Sequence, residues 1–244
     1  MNKPLFYIYE DCRNINEKVD LSTIAGNTIL LTGASGLLGV YFTTTITRFN
    51  KDNKNPIKLI VTIHNDIDRE FLELFNDQNI IIYQGDLTDN NFLQSLPNID
   101  HVIHTAGYGQ PRRFMENPIK TLKLCTSVTL GLFEKIKPGG NFLFISTSEV
   151  YSGLEASKYK ESEIGRTNTT HYRSCYIEGK RSGEAICFAY KDMGINAKSV
   201  RLALAYGPGT RKNDKRVINN FIEKALNGKI TMLDQGHAKR KYCY

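Results

Sequence analysis

Residues 27–39 read NTILLTGASGLLG. Asn27 to Thr32 is an apolar run that ends on Gly33 and predicts a buried strand. Gly33, Ser35, Gly36 and Gly39 then mark a tight turn, and Leu37 and Leu38 open a helix. Small residues let a backbone approach a pyrophosphate, and the first helical turn presents unbonded N–H groups to an anion. The spacing is GxxGxxG rather than GxGxxG, and a plain strand-to-helix turn is also rich in glycine. The strand–turn–helix setting is the context that the motif requires.

Outward from this segment the same rhythm repeats. Apolar runs at 59–64 (LIVTIH), 79–83 (NIIIY), 101–105 (HVIHT), 141–146 (NFLFIS) and 197–204 (AKSVRLAL) alternate with helix-like stretches. Continuous apolar strands separated by helices are what a parallel sheet covered on both faces needs. The expected fold is α/β, a doubly wound, Rossmann-like parallel sheet with ligands at the carboxyl ends of its strands. After Tyr206-Gly207-Pro208 the character changes. Val217 to Leu226 predicts an amphipathic helix and Lys229 to Leu233 a short strand. The chain thus divides into a dinucleotide-binding domain, 1–205, and the beginning of a small substrate lobe, 206–244.

Composition narrows the function classes. The chain has 244 residues, 41% of them hydrophobic, which excludes a disordered segment. It lacks the run of about 18 apolar residues that a membrane span needs. The opening MNKPLFYIYED meets acidic residues too early for a secretory signal. Five cysteines, odd in number and without a CxxC pair, argue against a disulfide framework and a zinc site and fit a reducing cytoplasm. His171 and His237 have no metal spacing, so no metal is expected. The net charge of +7 suits nucleic acid, a membrane surface or a phosphorylated ligand. No reading helix or finger motif accompanies it, so nucleic acid is not expected.

Candidate chemistry follows from position. A carboxylate after the second strand would hold the adenosine ribose and favour NAD over NADP; Asp66 is the candidate, with His64 and Asn65 as alternatives. Asp86 suits either the adenine amine or a helix cap. His104 reads as a satisfied core histidine, Cys175 as a small buried helix residue and Tyr151 as packing. Tyr176 and Lys180 stand four apart, on one helical face. A phenol with a pKa of about 10 is a poor base at neutral pH. A neighbouring ammonium is expected to lower that value.

The segments GASGLLG (33–39), GDL (85–87), HTAG (104–107), NPIKTL (117–122), STSEVY (146–151), YIEGKRSGE (176–184) and YGPG (206–209) stand in one order over nearly the whole chain. Together they resemble the extended short-chain dehydrogenase/reductase family, the NAD-dependent epimerase/dehydratase branch that acts on nucleotide sugars. The likeness is greatest to UDP-glucuronate decarboxylases. The resemblance implies NAD as cofactor, held by Gly33, Ser35, Gly36, Leu37, Leu38, Gly39, Asp66, Asp86, Leu87, Thr105 and Ala106 together with Tyr176 and Lys180. It implies a catalytic set of Thr147, Glu149, Tyr176 and Lys180 working through a 4-keto sugar. It implies a nucleotide-sugar site using Ser148, Arg112, Arg216, Asn220 and Arg240, with Arg113 beside Arg112, and a homodimer paired through four helices. A 4-epimerase, a 4,6-dehydratase or a truncated non-catalytic NAD-binding protein are the alternatives. A dehydratase would carry Asp at position 148, because a serine hydroxyl is too weak an acid for that elimination. Cys125, Leu204 and the 108–112 tip depart from the family pattern, and the chain stops at Lys241-Tyr242-Cys243-Tyr244, before the substrate lobe of the family is complete.

Overall fold

The computed structural model describes residues 3–155, 158–211, 214–230, 232, 235, 237 and 241–244. In chain order the elements are α1 (Lys3–Lys18), β1 (Thr28–Thr32), α2 (Leu37–Lys51), β2 (Lys58–Ile63), β3 (Ile80–Gln84), α3 (Asn90–Ser95), β4 (Ile99–His104), α4 (Pro111–Glu116), α5 (Pro118–Cys125), α6 (Ser127–Phe133), β5 (Ile136–Thr147), α7 (Ser174–Asp192), β6 (Asn196–Leu202), β7 (Leu204–Ala205), α8 (Val217–Leu226) and β8 (Tyr242–Cys243). Short 3-10 turns lie at Arg69–Phe75 and Ser148–Tyr151. Six strands form one sheet in the order β3-β2-β1-β4-β5-β6, and every neighbouring pair is parallel. This is the doubly wound order, with its reversal between β1 and β4.

The inner strands bury both faces by simple alternation, while the edge strands β3 and β6 leave Ile81, Ile82 and Val200 exposed. Ile29 and Leu31 of β1 face one layer with Leu59 and Val61 of β2 and Val40 and Ile46 of α2. Leu30 and Ile60 face the other, with Val102, Leu132, Phe142, Phe144 and Cys187. Fully burying each such side chain contributes on the order of 1.5–3 kcal/mol.

The strands fall where their apolar runs predicted, with three differences. β5 begins at Ile136 rather than Asn141 because its pairing with β4 shifts register between Ile99 and His101. Gly139 takes a positive φ there, and a Cβ on Gly140 would lie 2.2 Å from the Asp100 carbonyl oxygen. The run expected at 197–204 ends at Leu202, and Leu204–Ala205 pairs instead with β8 in a separate two-stranded sheet. α8 spans the expected residues. Of the strand expected at 229–233, the described residues Lys229, Ile230 and Met232 are not strand.

Helix α1 was not foreseen. Leu5, Ile8 and Cys12, spaced at helical intervals, are buried within the α2 layer. The Asp11 carboxylate accepts hydrogen bonds from the Tyr41 hydroxyl at 2.8 Å and the Tyr244 hydroxyl at 3.0 Å, joining α1 to both α2 and the last residue. All five cysteines are free, and only Cys243 is exposed. No helix among the described residues is long and apolar enough to cross a membrane.

One glycine tests this packing directly. A Cβ on Gly39, in the first turn of α2, would sit 2.4 Å from the Ala34 backbone. Gly39→Ala is expected to destabilise the chain by about 1–3 kcal/mol through overpacking, read by urea unfolding. Gly109→Ala, with nothing within 4 Å of the added carbon, is expected to stay within about 0.5 kcal/mol.

Candidate active site

The carboxyl ends of the strands converge on a cleft of about 360 Å³. Its walls are the turn from Gly33 to Leu38, Thr62, His64 and Asn65 after β2, Gly85 to Thr88 after β3, Thr105 to Gln110 after β4, Ile145 to Glu149 at the end of β5, and Tyr176 and Lys180 of α7.

The first wall is built by close approach. Gly33 has φ +69°, and a Cβ there would lie 2.8 Å from the Ala106 backbone. The Thr105 hydroxyl donates to the Thr32 carbonyl at 2.6 Å, and the Ala106 N–H donates to the Thr32 hydroxyl at 3.2 Å. Helix α2 begins at Gly36 with no side-chain cap, so its first N–H groups lack a protein partner. The Thr62 hydroxyl, buried on the same cleft, also has none. An uncapped helix start, an unpartnered hydroxyl and glycines in place of side chains fit a dinucleotide and its diphosphate.

At the other end Tyr176 is half-buried, with its ring stacked on Phe114 at 4.5 Å between centroids. Burial pushes its phenol up to about 12; hydrogen bonding to Thr147 opposes this, the Glu149 charge adds to it and Arg173 opposes it. The expected lowering by Lys180 is not seen. The Lys180 ammonium donates to the Ile145 carbonyl at 2.6 Å and lies 4.7 Å from the Phe144 ring centre, so its charge is not spent on the phenol. Both residues do face the cleft, as helical spacing required.

Glu149 is held by Arg173, whose Nε donates at 3.0 Å and whose Nη2 donates to the second carboxylate oxygen. The Arg173 guanidinium rests 5.2 Å above the Phe114 ring centre. Tyr176, Phe114, Arg173 and Glu149 therefore form one connected stack. Arg173 was missed from the sequence, where its neighbours Cys175 and Tyr176 drew the reading.

The remaining expected residues divide cleanly. Ser35, Gly36, Leu37, Leu38, Asp86, Leu87, Thr105, Ala106, Thr147, Ser148 and Arg216 line the cleft. Gly39 lies behind it as packing against Ala34. Asp66 is off the wall, its carboxylate accepting from the Gln84 amide at 3.3 Å; His64 and Asn65 occupy the end of β2 instead. Arg112 is also off the wall, 87% exposed and paired with Glu116, because the first turn of α4 points it outward and Arg113 inward. Asn220, on α8, does not reach the cleft lining. Arg240 lies outside the described residues. Burial would raise the Asp86 carboxyl, but Lys120 at 2.7 Å and the Thr88 hydroxyl and N–H outweigh it and bring it down to about 2. Asp86 is thus neither bare nor a helix cap; Asp89 caps α3. His104 is buried and neutral, pushed down to about 4 by burial and bonded to the Thr32 hydroxyl and the Leu124 carbonyl. Cys175 is buried and Tyr151 packs, stacking on Tyr159 at 4.8 Å between centroids, as expected; the Tyr151 hydroxyl also accepts from Arg201 at 2.9 Å. Among the described residues no three His, Cys, Asp or Glu side chains gather to hold a metal.

The model of the NAD dependent epimerase/dehydratase family matches residues 29–244. The chain belongs to that family. It is 31% identical over 219 residues to UDP-glucuronic acid decarboxylase 1 of Xenopus tropicalis, covering 88% of this chain and 50% of that protein. The chain thus spans about half the length of the curated relatives it matches first. Among solved structures, UDP-N-acetylglucosamine 4-epimerase of Methanobrevibacter ruminantium M1 superposes with a TM-score of 0.74 at 23% identity, over 89% of this chain and 69% of that one. UDP-glucuronic acid 4-epimerase of Bacillus cereus, solved in complex with UDP-glucuronic acid and NAD, gives 0.70 at 23% identity over the same shares. At these identities the likeness is one of fold. Helix α1 precedes the family match.

The electrostatics around Tyr176 have a measurable consequence. At about pH 10, where a free tyrosine is half ionised, the Tyr176 ¹³Cζ NMR signal, assigned with Tyr176→Phe, is expected to stay at its protonated position. Glu149→Gln removes a charge that raises this phenol and is expected to move its midpoint downward. A Tyr176 that ionises below pH 10 in the unaltered chain contradicts the assignment of burial as the dominant force.

Proposed function

We propose that this chain supplies the NAD-binding and catalytic half of a nucleotide-sugar enzyme that works through a 4-keto intermediate, most closely a UDP-glucuronate decarboxylase. The observation that carries the proposal is the meeting of Thr147, Ser148, Glu149, Tyr176 and Lys180 with the glycine turn on one cleft.

In this reading the Gly33–Leu38 turn and the α2 N-terminus would hold the NAD diphosphate. The chemistry that NAD would supply there is reversible hydride exchange with C4 of the sugar. Tyr176, once ionised, accepts the C4 hydroxyl proton, and Thr147 hydrogen-bonds the same hydroxyl. Lys180 takes the ribose hydroxyls within reach of its ammonium. The C4 ketone makes the C5 carboxylate part of a β-keto acid. The C5–C6 bond then breaks, carbon dioxide leaves and the electron pair moves to the C4 oxygen as an enolate, which takes a proton at C5. Ser148 stands where water elimination would need an acid, which supports decarboxylation over dehydration. Glu149, fixed by Arg173, borders the place where that proton arrives.

Arg113 replaces Arg112 as the cleft-side cation suited to a sugar carboxylate or phosphate. Residues 206–244 contribute Arg216, with Asn220 and Arg240 as lobe residues that join the sugar site in the whole protein. Exposed Ile119 on α5 and Phe188 on α7, two helices that pack together, support a homodimer through those helices. A cytoplasmic setting matches the five free thiols.

Incubation with UDP-glucuronate and NAD is expected to yield a UDP-pentose and carbon dioxide. Because the base is a phenol raised to about 12, turnover is expected to rise with pH through the neutral range. Tyr176→Phe is expected to lower turnover by about 10²–10⁴-fold with NAD still bound. UDP-galacturonate as product would identify an epimerase, and no product from UDP-glucuronate would contradict the proposal.

A further inference from the structure

In a dinucleotide-binding sheet the end of the second strand reads the adenosine ribose. Here the first residue past β2 is His64, which lines the cleft together with Asn65. The backbone fixes its place. β2 pairs with β3 as far as Ile63 and Gln84, and the Gly85 N–H donates to the Ile63 carbonyl at 2.9 Å. His64 therefore follows directly on the point where β3 opens into the same cleft. The two carboxylates that come next are directed elsewhere. Asp66 accepts from the Gln84 amide at 3.3 Å, Asp68 lies 4.0 Å from the Arg211 guanidinium, and neither lines the cleft. Among the described residues, the carboxylates that do line it are Asp86, Glu149 and Asp214. Each holds a cation of its own: Lys120 meets Asp86 at 2.7 Å, Arg216 meets Asp214 at 2.6 Å, and Arg173 is paired with Glu149. A carboxylate is an acceptor alone, so it binds a ribose 2′-hydroxyl and repels a 2′-phosphate. An imidazole and a side-chain amide each carry both an acceptor and a donor. Either can accept from the hydroxyl, and either can donate to the phosphate.

We propose that His64 sets the cofactor selectivity of this chain and that the site takes NADP as well as NAD, because no carboxylate at the end of β2 bars the 2′-phosphate. This rests on the dinucleotide reading of the cleft and extends it to the ribose, but it needs no catalytic turnover. His64 is exposed, so a change there leaves the core intact.

The test is calorimetric titration of the full chain with 5′-AMP and with adenosine 2′,5′-bisphosphate, which differ only in the 2′-phosphate. The unaltered chain is expected to bind the bisphosphate at least as tightly as 5′-AMP. His64→Asp is expected to weaken the bisphosphate by about tenfold or more, the scale of exchanging a charge-assisted hydrogen bond for repulsion, with 5′-AMP bound no more weakly. Asp66→Asn is expected to change neither. A bisphosphate bound more weakly than 5′-AMP by the unaltered chain would overturn the proposal. So would a His64→Asp chain that loses both ligands equally or neither, since His64 then does not read the 2′ position. An Asp66→Asn chain that gains affinity for the bisphosphate alone would also overturn it, because Asp66 would then be the barrier. An unaltered chain that binds neither nucleotide would overturn the dinucleotide reading itself, which separates the two failures.

Discussion

The cleft exists because two backbone turns touch. Gly33, left-handed after β1, lies so near Ala106 after β4 that a single added carbon would stand 2.8 Å from its main chain. β1 and β4 are neighbours only because the sheet reverses its winding between them. The two helical connections therefore diverge, and the gap they leave is walled by backbone rather than by side chains. Everything proposed for the dinucleotide depends on that contact. A larger residue at position 33 would separate the turns and shift the start of α2, whose free N–H groups are the attractive feature of the cleft.

Charge is distributed unevenly along this cleft. At the α2 end the partners are neutral dipoles, with Arg211 and Lys120 as cations beside them. At the β5 end burial raises the Tyr176 phenol, and beside it the Glu149 carboxylate is paired with Arg173. Phe114 links them physically, since it stacks on Tyr176 on one side and on Arg173 on another. This connection explains why the phenol responds to both members of the ion pair. It also places α4, a helix of only six residues, in control of the proposed base.

Much of this was legible in the sequence, for definite reasons. The strands announced themselves because a sheet covered on both faces needs uninterrupted apolar runs. Tyr176 and Lys180 shared a face because helical spacing leaves no alternative. Other features depended on which way one residue turns. Asp66 and Arg112 were each displaced by an immediate neighbour, since a loop end and a first helical turn do not fix direction from composition. Arg211 meets Ser35 across 176 residues, a contact no local pattern encodes. Lys180 was read as the partner of Tyr176 when a carbonyl on β5 had claimed it. Helix α1 was legible in Leu5, Ile8 and Cys12, but that stretch was used only to exclude a leader.

The central claim is that the carboxyl end of this sheet holds a dinucleotide with its reactive ring beside Tyr176. A crystal structure of the chain grown with NAD measures this most directly. The account predicts the diphosphate over residues 33–38 and the nicotinamide against the Tyr176 hydroxyl. A dinucleotide bound elsewhere, or lying with its adenine at Tyr176, would contradict it.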